Sequence, residues 1–132
     1  MSDFVYVTGL ALHAFHGVME HEATVGQTFY IDLVLDIDLT EASHSDKIAD
    51  TVGYDQVVDV ASRTFCAQRY RLVEAAAGAI ANAVLTTFPA VTSVRVTVHK
   101  PHAPVAATFS DVGVTIVRSR QSQDRNQDRN NA

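Results

Sequence analysis

Tyr30-Ile31-Asp32-Leu33-Val34-Leu35-Asp36-Ile37-Asp38-Leu39 carries the clearest pattern in the chain. Ile31, Leu33, Leu35, Ile37 and Leu39 alternate with Asp32, Val34, Asp36 and Asp38. Successive side chains of a strand point to opposite faces, so this spacing predicts a strand with one apolar and one largely acidic face. A strand that is wet on one side belongs to an antiparallel sheet, because parallel sheets are covered on both sides. Tyr30 and Val34 then fall on the uncovered face, which meets water or a partner surface.

The neighbouring segments extend this sheet. Phe4 to Leu12, rich in Val and Tyr, predicts a first strand, with Gly9 marking a bulge inside it. A polar stretch from Glu41 to Asp50 leads into a helix predicted from about Asp55 to Gln68, with Val57, Val58, Ala61 and Phe65 as its inner stripe. A second helix is predicted from about Leu72 to Phe88, where Leu72, Ala76, Ile80, Val84 and Phe88 share one face. Pro89 stands just past its end, as a stop should. Strands resume at Val94 to Lys100 and at about Thr108 to Arg118, where Val112, Val114 and Ile116 alternate. The order is ββααββ. Two helices on one face of a four-stranded antiparallel sheet make an α+β domain. Oligomerisation that joins such sheets edge to edge removes the hazard of unpaired edge strands.

Composition narrows the function classes. A chain of 132 residues fits one domain, and 47% hydrophobic content with no Trp implies an aliphatic core. The formal charge is −5, and the longest basic cluster is Arg118-Ser119-Arg120. That argues against nucleic acid or an anionic membrane as partner. Cys66 is the single cysteine, which excludes an intrachain disulfide and suits a reducing compartment. Its place beside Phe65 predicts a buried, inert thiol. No apolar run reaches the length of a membrane span, and Met-Ser-Asp-Phe does not read as a signal peptide, so a cytoplasmic location is expected. Residues 1–120 are expected to form the folded domain. In residues 121–132, Gln123-Asp124-Arg125-Asn126 repeats as Gln127-Asp128-Arg129-Asn130, and a disordered polar tail is expected there.

Candidate chemistry lies at the ends of these elements. Lys100 closes its strand just before Pro101, where backbone geometry is well fixed. Burial there would lower its pKa and make the amine usable as a base or nucleophile. Taken alone, it fits a lysine snorkelling off a sheet edge equally well. Glu22 lies in the loop between the first two strands, Tyr54 just before the first helix, and Glu74 near the start of the second, where the helix dipole favours a carboxylate. Each also has an ordinary structural explanation. Of the histidines, His13 and His16 are three apart, as are His99 and His102, but spacing secures no shared orientation. No metal site is expected. Neither a Gly-x-Ser-x-Gly elbow nor a glycine-rich phosphate loop is present.

A set of short strings, taken in order, resembles the dihydroneopterin aldolase family across residues 4 to 120. They are Gly9-Leu10, His16-Gly17-Val18, Gly26-Gln27-Thr28-Phe29, and Ser45-Asp46 with Asp50-Thr51-Val52-Gly53-Tyr54. Leu72-Val73-Glu74, Lys100-Pro101-His102-Ala103-Pro104 and Phe109-Ser110-Asp111-Val112-Gly113-Val114 complete the set. The resemblance implies the tunnelling fold and four-subunit rings, tetramers or stacked octamers, with pterin sites between neighbours. It implies cleavage of 7,8-dihydroneopterin, a small-molecule pterin substrate, with no cofactor and no metal. Gly53 and Val105-Ala106-Ala107 depart from the family pattern, the first loosening the pocket wall and the second the loop after Lys100.

Carried over by position, Glu74 grips the pterin amino group and ring N–H, for which a carboxylate supplies two parallel acceptors. Backbone groups near Val18, Val52 and Val73 complete recognition of the ring edge. Lys100 is the expected general base, Tyr54 a proton shuttle, and Glu22 orders the side-chain hydroxyls and the lysine. Three rivals stand beside this expectation. They are an epimerase of dihydroneopterin triphosphate, a zinc-dependent pterin synthase, which needs a His-x-His pair absent here, and a non-catalytic pterin-binding scaffold.

Overall fold

The alternation around Leu33 becomes a strand whose inward-facing side chains, Phe29, Ile31, Leu33 and Leu35, are completely buried. In the computed structural model, which describes residues 3–120, four strands form one sheet. They are β1 (Phe4–Ala14), β2 (Gln27–Asp36), β3 (Ser93–His99) and β4 (Gly113–Ser119). They lie in the order β1-β2-β3-β4, each pair antiparallel. Phe29, Ile31, Leu33 and Leu35 of β2 and Val94, Val96 and Val98 of β3 point into the core. Two longer helices, α3 (Tyr54–Cys66) and α4 (Val73–Thr87), pack there, α3 against β1 and α4 against β3 and β4. A short helix α1 (Glu20–Val25) connects β1 to β2, and a second, α2 (Thr40–Ser45), with a 3₁₀ turn at Ile48–Asp50, connects β2 to α3. The α+β, ββααββ architecture expected from the pattern is present.

Local chemistry accounts for the main features. Gly9, at φ 70°, marks the register shift between Val7 and Leu10, and its N–H donates to Asp32 Oδ1 at 2.7 Å. Alanines at 75, 76, 77, 79, 81 and 83 favour helix in α4 and let it pack closely. Its last carbonyls are capped from β4's end, where Arg120 Nη2 donates to Leu85, Phe88 and Val91 at 3.0, 3.2 and 2.6 Å.

Several expectations need correction. The segment around Glu22, read as a loop, contains helix α1, and the polar stretch after residue 40 contains α2 and the 3₁₀ turn. β2 begins at Gln27 and stops at Asp36, although Ile37 beyond it stays buried. β4 starts at Gly113, so Thr108 to Val112 belong to the preceding loop. In α3 the buried stripe is Val57, Val60, Ala61 and Phe65, with Val58 half-buried at the margin. Leu72 caps α4 and is exposed rather than buried. Cys66 is the last residue of α3 and is exposed. Partial burial of its sulfur pushes the thiol up, so it stays protonated and inert. The tail expected from residue 121 lies outside the described residues.

Candidate active site

β1 ends at Ala14, and the chain turns through Phe15-His16-Gly17 into α1. His16 is buried, and its two ring nitrogens have opposite partners. Nε2 faces the Phe65 carbonyl at 2.8 Å, and Nδ1 faces the Tyr70 N–H at 3.0 Å. A carbonyl can only accept and an amide only donate, so the ring is neutral with its hydrogen on Nε2. Burial pushes its pKa down; the bond to the Phe65 carbonyl opposes this, and the charges of Lys100 and Arg69 reinforce it. The ring also meets the faces and edges of Phe29, Phe65 and Tyr70. Gly17 N–H donates to Tyr70 O at 3.0 Å, and Arg69 donates to the carbonyls of Phe15 and Gly17. The turn is thereby tied to the end of α3.

That turn places a glycine against a carboxylate. Gly17 has φ 143°, and a Cβ there would overlap the Glu22 carboxyl group. Glu22, on the third residue of α1, is 3% exposed. Its Oε1 accepts the Met19 N–H at 3.2 Å, an N-terminal capping contact. Its Oε2 meets Lys100 Nζ at 2.7 Å and accepts Gln27 Nε2–H at 3.1 Å. Burial raises the carboxyl pKa, but the bonds from Lys100, Met19 and Gln27, with the lysine charge, outweigh it and hold the group below its ordinary value.

Lys100 follows directly on β3, its side chain 14% exposed, and its N–H donates to Val112 O at 2.7 Å. Both charges of this pair are withdrawn from water, and a buried pair recovers that desolvation cost only in part. Stability alone therefore gives little reason for it, whereas a site that moves protons does. Glu22 and His16 are the buried ionisable side chains among the described residues, and the Lys100 charge acts on both. Gln27, the first residue of β2, leaves its Oε1 buried and, among the described residues, without a partner. The sequence points to Gln27 only through the Gly26-Gln27 string, and to His16 through its spacing from His13 and the His16-Gly17 string, neither of which indicates a buried, neutral ring.

The other expected site residues lie on the surface. Tyr54, the first residue of α3, is 72% exposed, and Val18 is 56% exposed. Glu74 is exposed in the first turn of α4, Val73 beside it is half-buried, and Val52 is buried. Among the described residues no hydrogen bond or ion pair joins Tyr54 or Glu74 to Lys100. One chain thus assembles Glu22 and Lys100 with Gln27 and His16, and presents Tyr54, Glu74 and Val18 outward.

The profile of the dihydroneopterin aldolase family matches residues 5–117. The chain belongs to the dihydroneopterin aldolase family. Dihydroneopterin aldolase of Methylorubrum extorquens is 39% identical over 120 residues, covering 91% of this chain and 92% of that protein. The FolB structure from Vibrio cholerae superposes with TM-score 0.84 at 32% identity, covering 91% of this chain and 99% of that one. Dihydroneopterin aldolase of E. coli, solved in complex with neopterin, gives TM-score 0.81 at 30% identity over 89% of this chain and 99% of its own. This family member thus shares its fold with a protein that holds a pterin.

Proposed function

We propose that this chain is a lyase of folate biosynthesis. It cleaves 7,8-dihydroneopterin by a retro-aldol reaction to 6-hydroxymethyl-7,8-dihydropterin and glycolaldehyde. Family membership supports the reaction, and the buried Glu22–Lys100 pair is the observation that carries the assignment of its base. Lys100 takes the proton of the substrate 2′-hydroxyl through a water. The C1′–C2′ bond breaks, its electron pair passes toward the ring imine, and C2′ leaves as the aldehyde carbon of glycolaldehyde. A proton then returns to C1′, with Tyr54 as shuttle. Because the substrate's own imine takes up the electrons, the reaction needs neither a lysine Schiff base nor a metal. Proton transfer of this kind contributes roughly 10²–10⁴-fold. Reversal of the cleavage permits 2′-epimerisation as a side activity.

Glu74 holds the pterin through its carboxylate, with the backbone around Val18, Val52 and Val73 completing the pocket edge. Since Tyr54 and Val18 face outward while Lys100 is drawn in against the buried Glu22, the site is completed between subunits of a tetrameric ring or octamer. Arg69, the basic side chain beside the site, is engaged by the carbonyls of Phe15 and Gly17, which favours the uncharged side chain of dihydroneopterin over its triphosphate. A product assay on both compounds, with chelator present, tests the reading. Glycolaldehyde is expected from dihydroneopterin alone, and borohydride should leave Lys100 unmodified. Absence of glycolaldehyde, or its loss with chelator, overturns the assignment.

A further inference from the structure

The face of the sheet away from the helices carries a second polar cluster, one residue removed from Lys100. The His99 ring lies between two carboxylates, with Nε2 2.7 Å from Asp32 Oδ2 and Nδ1 2.6 Å from Asp111 Oδ2. Asp32 is on β2 and takes the Gly9 N–H of β1 on its other oxygen. Asp111 lies two residues before β4, near the end of the loop that leaves the sheet at Lys100. One connected set of bonds therefore crosses from the β1 bulge to the neck of that loop. The same neck is closed by the Lys100 N–H to Val112 O bond.

We propose that Asp32, His99 and Asp111 form an ionic clasp that fixes the end of β3 and so sets Lys100 against Glu22. His99 is a positioning residue, acting through Lys100 and touching no reacting atom. This rests on the proposed reaction only for its activity readout. Carboxylates accept and do not donate, so two such bonds require both ring nitrogens to carry hydrogen. Bonds to Asp32 and then Asp111 raise the ring's pKa, partial burial opposes them, and both carboxylate charges add to the rise. On β2 the facing groups are Asp32 and Tyr30; on the loop, Asp111. Across β4 stands Gly113, which has no side chain. Arg95 and Thr97 share the face of β3, and Thr8 and Gly9 join the cluster in lining a shallow depression of ≈ 390 Å³. When the ring loses its second proton, one carboxylate faces a lone pair and the clasp opens on that side.

Nitrogen-15 NMR of the His99 ring in the unliganded protein is the direct test. Two ring N–H signals are expected at pH 7 and one after titration upward. A ring with a single N–H at pH 7 overturns the proposal, whatever the activity. In turnover, His99→Ala is expected to lower kcat by about ten- to a hundredfold, the cost of slightly misplacing a catalytic group, while KM changes little. Asp111→Asn separates positioning from plain structural support, because the new amide can donate to Nδ1 of a neutral ring. Wild-type kcat should fall as pH rises through the loss of the second ring proton, and Asp111→Asn should remove that fall. An unaltered pH profile in Asp111→Asn, or wild-type kcat in His99→Ala, refutes the clasp. If the wild type releases no glycolaldehyde, the reaction is refuted and the NMR result still decides the clasp.

Discussion

The two halves of the candidate site obey opposite physics. Glu22 is buried and Lys100 largely so; they are ion-paired at 2.7 Å and held by Gly17, Gln27 and the N-terminal turn of α1. Tyr54 and Glu74 stand in the first turns of α3 and α4, exposed and without a polar partner among the described residues. The buried half is shaped before any substrate arrives and draws every contact from one chain. The exposed half is placed by helix starts and has nothing to grip. Under the proposed function, preorganisation belongs to the base, and recognition of the pterin waits for a surface supplied by another subunit.

Lys100→Ala breaks this contrast most severely. Turnover of dihydroneopterin should fall by about 10²–10⁴-fold while equilibrium binding of a pterin is retained. A titration showing lost binding would move Lys100 into the recognition half. Glu74→Ala should do the reverse and weaken pterin affinity by about ten- to a hundredfold, the scale of hydrogen bonds to a charged group. Its melting temperature should stay near that of the wild type, because the side chain is exposed. Calorimetric binding with thermal melts separates the two variants, and normal binding in both would erase the division of roles.

The smallest effect is the pH dependence of stability. Glu22 has a folded pKa below its ordinary 4.5, so its contribution is present above that value and is lost as pH falls through the lowered one. His16 is held neutral, so its contribution is present above 6.5 and declines below it as the unfolded chain takes up a proton that the folded chain refuses. Melts from pH 7 down through and well below pH 4.5 should therefore fall in two stages. Lys100→Ala should weaken the lower stage and leave the His16 stage in place.

Particular residues show how much of this was legible. Ile31 to Ile37 announced β2 because alternation is a local signal that burial of one face must obey. β2 starts three residues before the alternation does, at Gln27, because Gln27 and Thr28 pair with Ala14 and His13 across the fold rather than through an apolar pattern of their own. Helix α1 gave no sign at all. Six residues cannot sustain a helix by propensity, and this one is held by Glu22, which reaches back to Met19 and across to Lys100. Val60 replaced Val58 in the core because the two flank the α3 stripe on opposite edges, and only packing chooses between them. His99 was weighed as a metal ligand on spacing, yet its partners are Asp32 and Asp111, 67 and 12 residues away along the chain.

By itself, the sequence determined the order ββααββ, the antiparallel sheet with one covered face, the aliphatic core, and the strings that mark the family. All of these follow from periodicity and local chemistry within a few residues. Only the tertiary structure decided that Glu22 is buried against Lys100, that His16 is neutral, and that His99 bridges two carboxylates. The physical reason is that desolvation and ion pairing depend on distances across the fold, and no spacing along the chain encodes them.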